Sequence, residues 1–175
     1  MKNYAILLRG VTPTGKNRVP MAELRTALSN AGLLDVQTYI QSGNVVAKSH
    51  LDQAAIESLV HKVIAQEIGA DIAIIARTHK QIKKVMEGNP FSLDAASRTY
   101  FTLLASTPTS LLIEELRRLN FSPDNVKIVD STIYTLYATK YSDSKFNNNF
   151  FERKLKISAT TRNFNTLSRL VELSA

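Results

Sequence analysis

Val36-Gln37-Thr38-Tyr39-Ile40-Gln41-Ser42-Gly43-Asn44-Val45-Val46-Ala47-Lys48 reads as two short strands, Val36–Ile40 and Val45–Lys48, joined by a turn at Ser42-Gly43-Asn44. Glycine and asparagine tolerate positive φ, and the flanking β-branched and aromatic residues favour extended backbone, so the stretch predicts a β-hairpin. What stands on either side of it decides the fold. Upstream, Met21, Leu24, Leu28 and Ala31 recur at helical spacing behind Pro20 and stop at Gly32, and before them Asn3–Leu8 is an aliphatic strand. Downstream, Ile56, Leu59, Val60, Val63, Ile64 and Ile68 mark one face of a helix that ends at Gly69, and Ile72–Ala76 follows as a strand. The order is β-α-β-β-α-β. That is the split-βαβ, or ferredoxin-like, pattern, in which helices cover one face of an antiparallel sheet.

Thr78-x-x-Gln81 then opens a short helix as a capping box, with Gly88 and Pro90 beyond it, and Asn89–Ser97 reads as a connector. After that the order starts again. Tyr100–Ala105 is a strand, Leu112, Leu116 and Leu119 mark a helix with Glu114 and Arg118 as an i,i+4 pair, and Val126–Val129 and Thr132–Thr139 form a second hairpin. Asn149-x-x-Glu152 predicts the cap of a helix carrying Phe150, Phe151 and Leu155, and Phe164, Leu167, Leu170 and Val171 form the stripe of a last helix. The fold class expected is α+β, with duplicated ferredoxin-like units and antiparallel sheets. The boundaries expected are 1–77 for the first half, 78–97 for a helical connector and 98–175 for the second half with its C-terminal helix.

Composition narrows the function classes. The chain has 175 residues and contains no cysteine, so disulfides and thiolate zinc sites are excluded. At this length about 70% of the unfolded chain's surface is buried on folding, enough for a core without staples. Apolar runs such as Ala5–Leu8 fall far short of the roughly 18 residues of a membrane helix. The opening residues also lack the apolar stretch of a signal peptide, so a cytoplasmic location is expected. His50, His61 and His79 show no ligand spacing, and no metal ion or cofactor is expected. Lys and Arg number 22 against 15 Asp and Glu, a net +7 with a pI near 9.7. The excess is +4 over residues 1–87 and +3 over 88–175, so there is no basic tail. Such an even spread predicts weak, salt-sensitive polyanion affinity rather than a dedicated nucleic-acid arm.

Three stretches could carry chemistry. Gly10-Val-Thr-Pro-Thr-Gly15-Lys16-Asn17 matches the G-x-x-x-x-G-K core of a phosphate-binding loop and follows a strand, as that motif does. Asn17 stands where a Mg²⁺-binding hydroxyl belongs, and Pro20 delays the helix, which argues against a nucleotide triphosphatase. What survives is a basic rim of Arg9, Lys16 and Arg18 at a strand's end. The second stretch is Thr160-Thr161-Arg162-Asn163-Phe164-Asn165-Thr166. An arginine beside the unpaired amides of a helix N-terminus suits a phosphate or carboxylate, although plain capping also explains the cluster. The third, Gln41-Ser42-Gly43-Asn44, is explained by the hairpin turn itself. The ferredoxin-like reading puts this turn opposite the loop after the first strand, too far to share a site with it.

The segments Leu8-Arg-Gly-Val-Thr-Pro-Thr-Gly-Lys-Asn17, Pro20-Met-Ala-Glu-Leu24, Thr38-Tyr-Ile-Gln-Ser-Gly-Asn-Val-Val46 and Thr160-Thr-Arg-Asn-Phe-Asn-Thr166 resemble the successive signatures of the bacterial family called domain of unknown function 1697. The resemblance implies a small cytosolic α+β protein with a duplicated ferredoxin-like arrangement, and no particular activity. It places Arg9, Gly10, Lys16, Asn17, Ser42, Gly43, Asn44, Thr161, Arg162, Asn163, Asn165 and Thr166 at signature positions. Thr12-Pro-Thr-Gly15 departs from the family's usual Asn-Val-Gly-Gly and stiffens the loop. Phe164 replaces a usual tryptophan and removes an indole donor. Together these readings nominate Arg9, Gly10, Lys16, Asn17, Thr160, Thr161, Arg162, Asn163 and Asn165 as ligand-binding residues for a small anion. A nucleic acid engaged by sheet aromatics (Tyr100, Phe101, Tyr134 and Tyr137) and a homodimer built by pairing sheets are the other partners the sequence suggests.

Overall fold

The computed structural model describes all residues, Met1–Ala175, as two compact units, one made of Met1–Lys84 with Arg169–Ala175 and the other of Val85–Ser168. The division falls inside the stretch read as a connector, and the last seven residues belong with the first unit. Within that unit, Asn3 Nδ2 donates to the Ala175 carbonyl at 3.2 Å, and His79 Nδ1 lies 3.1 Å from Ser174 Oγ.

The first unit runs β1 (Lys2–Leu8), α1 (Met21–Asn30), β2 (Leu34–Tyr39), β3 (Asn44–Ser49), α2 (Gln53–Val63, continued by a π-helical turn, Ile64–Ile68), β4 (Ile74–Thr78) and α3 (His79–Glu87) up to Lys84. Its sheet has the order β2-β3-β1-β4, antiparallel throughout, which is the split-βαβ order read from the sequence. Strand β1 is central and Tyr4–Leu8 are wholly buried, which is why the run is apolar without alternation. Leu24 and Leu28 of α1 and Ile56 and Val60 of α2 pack over Ile6, Leu8, Val45 and Ala76. Each large aliphatic side chain so buried contributes about 1.5–3 kcal/mol. Asp52 caps α2 through Oδ1, which accepts the Ala55 N–H at 2.8 Å. The capping box of α3 is formed as expected: Gln81 Oε1 accepts the Thr78 N–H at 2.7 Å and Thr78 Oγ1 accepts the Gln81 N–H at 3.3 Å.

The second unit runs from a 3₁₀ turn (Leu93–Arg98) through β5 (Thr99–Leu104), α4 (Ser110–Arg117), β6 (Asn125–Val129), β7 (Thr132–Leu136), a 3₁₀ turn (Tyr141–Asp143), α5 (Asn148–Leu155) and β8 (Ala159–Asn163) to the start of α6 (Phe164–Leu173), whose residues from Arg169 on belong to the first unit. Its sheet order, β6-β7-β5-β8, is the first unit's order over again. The duplication reaches single hydrogen bonds. Leu8 N–H donates to Gly43 O and Arg9 N–H to Ala73 O (2.9 and 3.0 Å); Leu104 N–H donates to Ser131 O and Ala105 N–H to Ser158 O (2.9 and 2.8 Å).

Four local expectations are corrected. Residues 160–163 are not the loop before the last helix but strand β8, because the β-branched Thr160 and Thr161 pair with Leu103 and Thr102. Helix α5 is capped by Asn147, whose Oδ1 accepts the Phe150 N–H at 3.0 Å, and not by Asn149; Glu152 instead turns an oxygen to the Ala159 N–H at 2.9 Å. Glu114 pairs with Arg117 at 2.9 Å, one residue short of the partner expected, and the same guanidinium donates Nη2 to Ile128 O at 3.4 Å. Ile40 belongs to the turn, with φ of +51°, and not to the strand before it.

Candidate functional site

In an antiparallel pair the end of one strand lies beside the start of its neighbour. Since β1 and β3 are such a pair, with Leu7 opposite Asn44, the loop after β1 and the turn before β3 share one end of the sheet. The expectation that they lie apart is therefore wrong. They touch through Gly43. Its φ is +85°, and a Cβ there would stand 2.7 Å from Leu8 Cβ and 2.9 Å from Val11 Cγ2. Only glycine gives both the backbone angle and the closeness. Asn44, fully buried, fixes the turn from inside: its Nδ2 donates to Tyr39 O at 3.1 Å and to Ser42 Oγ at 3.0 Å.

The loop of residues 9–20 is closed on itself. Gly10 (φ +70°) and Gly15 (φ +81°) let it reverse, and Asn17 Nδ2 donates to the Gly10 carbonyl at 3.2 Å. Thr12 N–H donates to Asn17 O at 3.1 Å, Arg18 N–H to Gly15 O at 3.2 Å, and Thr12 Oγ1 to Thr14 O at 2.8 Å. Two of the amides that would line a phosphate cradle are thus spent inside the loop, so the resemblance to a P-loop stops at the sequence. Charge is what the loop does present. Lys16 and Arg18 are exposed and Arg9 is half-buried at the strand's end. Asn17, expected to bind a ligand directly, is instead the clasp that holds the loop shut.

The second nominated set lies in the other unit and is mostly internal. Thr160 is buried and its Oγ1 accepts from Arg162 Nη1 at 2.7 Å; the same nitrogen donates to Thr161 O at 3.0 Å. Burial holds the Arg162 guanidinium below the usual arginine range, at about 10. Thr161 Oγ1 donates to Asn148 Oδ1 at 2.9 Å and so receives its 2.8 Å bond from Thr102 Oγ1, a chain that ties β5, β8 and α5. Asn163 does cap the final helix, its Oδ1 accepting the Thr166 N–H at 2.8 Å. Asn165 is exposed.

One residue escaped the sequence reading. Arg77 on β4, opposite Ala5, stands where Arg162 stands on β8, opposite Phe101, and each arginine donates Nη1 to the carbonyl of the residue before it. Arg77 is 5% exposed, and its pKa is lowered by burial, with Glu57 opposing. The signal was present: each arginine directly precedes the residue that caps the next helix, Thr78 or Asn163. The sheet aromatics are also engaged internally. Phe101 and Tyr134 are buried edge-to-face at 5.6 Å, Tyr134 OH donates to Val85 O, and Tyr100 stacks on Tyr141 at 4.9 Å. These rings offer no open platform for bases.

Fold and motifs together define a duplicated α+β protein with antiparallel four-stranded sheets. The chain belongs to the family described as "protein of unknown function (DUF1697)", whose model matches residues 1–134. It is similar in fold to the conserved bacterial protein SP0830 from Streptococcus pneumoniae, with 24% identity over 99% of each chain and a TM-score of 0.76. No curated protein matches the chain. No helix is long and apolar enough to cross a membrane.

Proposed function

We propose that the chain binds a small anionic or phosphorylated ligand at the loop end of its first unit. The observation that carries this is a difference between the twin units. The connection after β1 occupies residues 9–20, where its counterpart after β5 needs only 105–109, and the turn 40–43 answers to the two-residue turn Asp130-Ser131. Both extensions lie at the same end and pack on each other at Gly43. Extra backbone that a shorter twin folds without is surplus to the fold, and such loops on a rigid scaffold are where binding residues concentrate.

The chemistry of the surplus favours an anion. Residues 9–22 and 36–51 contain Arg9, Lys16, Arg18 and Lys48 and no carboxylate. Arginine and lysine so placed give charge-assisted hydrogen bonds to phosphate or carboxylate oxygens, with the Ser42 hydroxyl as a neutral neighbour. Arg9 and Lys16 from the notional phosphate loop keep their assigned role in this reading. Arg162 with Thr160 and Thr161 stands as the competing site.

A thermal-shift titration with inorganic phosphate, a nucleotide and a sugar phosphate, at low and high salt, tests it. Ligand at a hundredfold its Kd adds about 2.7 kcal/mol, which raises the Tm of a chain this long by roughly 5–11 °C. The rise should disappear in Lys16→Ala/Arg18→Ala and persist in Arg162→Ala. A rise that survives the double change and vanishes with Arg162→Ala moves the site to the second unit, and no rise with any anion overturns the reading.

A further inference from the structure

The four sheet edges of the two units are not finished alike. Strand β2 is interrupted by a bulge at Asp35 (φ +51°), where its register against β3 shifts. On β4 the Ala76 N–H is taken by Glu57 Oε1 at 2.8 Å, and on β8 the Ala159 N–H is taken by Glu152. Bulges and side-chain caps are the ordinary means of closing an edge to further strands. Strand β6 has no bulge, and no side-chain oxygen takes one of its outward N–H groups. Its pairing with β7 is regular from Asn125 to Val129. The Leu104 N–H bond to Ser131 O turns Ile133 and Thr135 toward β5, so Asn125, Lys127 and Val129 bond to β7, and Val126 and Ile128 direct their N–H and C=O groups outward. Along that edge only the Ile128 carbonyl has a side-chain neighbour, Arg117 Nη2 at 3.4 Å.

Beside this edge runs an open groove of about 710 Å³, floored by Leu116, Leu119, Phe121, Val126 and Ile128. Here too the twins differ. The first unit passes from α1 to β2 through residues 31–33, whereas the second takes 118–124 to pass from α4 to β6, and that longer segment makes the far wall. Of the two cations that line it, Arg117 is paired with Glu114 at 2.9 Å and Lys127 has no ion-pair partner, while the acid of the lining, Asp124, has Oδ1 bound to the Ala138 N–H and Oδ2 to the Ser144 hydroxyl.

We infer that the β6 edge and its groove receive an extended acidic segment of a partner protein as a fifth strand, with alternate apolar residues in the groove and a carboxylate opposite Lys127. Strand addition gives main-chain bonds to Val126 and Ile128, and the groove and the lysine read every second side chain. Charge decides between this partner and a second copy of the chain. Antiparallel pairing of two β6 strands through Val126 and Ile128 sets Lys127 opposite its own copy in a close, non-hydrogen-bonded pair, where like charges repel.

The test uses the intact chain and two fluorescein-labelled seven-residue peptides, one alternating valine with glutamate and one valine with lysine, read by anisotropy. The glutamate peptide should bind at least tenfold tighter than the lysine peptide, and Lys127→Glu should reverse that order. Val126→Pro removes an outward N–H without touching the β6–β7 ladder and should weaken the glutamate peptide at least tenfold, while slow hydrogen exchange at Tyr134 reports that the sheet is intact. Equal affinity for both peptides, or binding that ignores both substitutions, overturns the inference. So does a concentration-dependent dimer in sedimentation that Val126→Pro abolishes, because the occupant is then a second copy.

Discussion

The N–H of Leu8 donates to the carbonyl of Gly43 at 2.9 Å, and a Cβ on residue 43 would lie 2.7 Å from the Cβ of Leu8. One strand end therefore holds the hairpin turn and forbids it a side chain. Gly43→Ala meets both a disfavoured φ and a clash with Leu8 Cβ and Val11 Cγ2, and should cost about 2–4 kcal/mol. Gly15→Ala is the control: its φ is +81°, but no atom lies within 4 Å of the added carbon, so about 1 kcal/mol is expected. Urea unfolding of the two variants measures the difference, and equal losses would remove the role given to the close approach.

Asn17 acts on the loop and not on the ligand. Its amide clasps the Gly10 carbonyl, so Asn17→Ala should lower stability by only about 0.5–1.5 kcal/mol. The proposed ligand should nonetheless bind at least fivefold more weakly, because Lys16 and Arg18 lose their fixed support. Isothermal titration with the best anion from the thermal screen checks this. Unchanged affinity would mean that the loop needs no clasp.

The C-terminal motif separates into capping and solvent-facing residues. Asn163→Ala removes the acceptor of the Thr166 N–H and should cost about 1 kcal/mol, within the 0.5–2 kcal/mol of measured caps. Asn165 is exposed, and its replacement by alanine should stay within about 0.5 kcal/mol. Denaturant midpoints of the two variants should differ in that order.

Alkaline pH should expose the buried tyrosines. Burial, then the neighbouring Tyr141, raises the Tyr137 pKa well above its ordinary value, and burial followed by Asp130 raises that of Tyr134. A raised acid keeps its proton in the folded chain after the unfolded chain has lost it. The stability tied to these groups is therefore complete below pH 10 and declines as pH rises above it, by up to about 1.4 kcal/mol per pH unit for each tyrosine. Tyr137→Phe should lower stability at pH 7, because the Phe146 carbonyl loses a 2.6 Å bond, and should flatten the decline above pH 10. Chemical unfolding between pH 8 and 11 reads both effects, and an unchanged slope would contradict the assignment.

Periodicity carried most of the architecture. The hairpin at residues 36–48 between two amphipathic helices sufficed for the first unit, since helical spacing and strand alternation agree with its capping residues. Strand β8 was hidden because Thr160, Thr161 and Arg162 are polar, and their role is to bond Thr102, Asn148 and one another inside the protein. Polar residues before an apolar stripe look alike whether they cap a helix or edge a sheet. The meeting of the Gly10 loop with the Gly43 turn follows from the antiparallel neighbours β1 and β3, but single-chain pattern says nothing of an approach so close that a Cβ on residue 43 would lie 2.7 Å from that of Leu8. The local signal at Arg77, an arginine directly before a helix-capping residue, gains meaning only when the two units are superposed on their hydrogen bonds, which pairs it with Arg162.

Backbone amide shifts during titration with inorganic phosphate test the proposed anion site most directly, because the second unit supplies an internal control. Saturable shifts should gather at Gly10–Arg18 and Gln41–Asn44, leave residues 105–109 and 130–131 still, and disappear in Lys16→Ala/Arg18→Ala. Shifts of equal size at both sets of loops, or none at the first, would contradict the account.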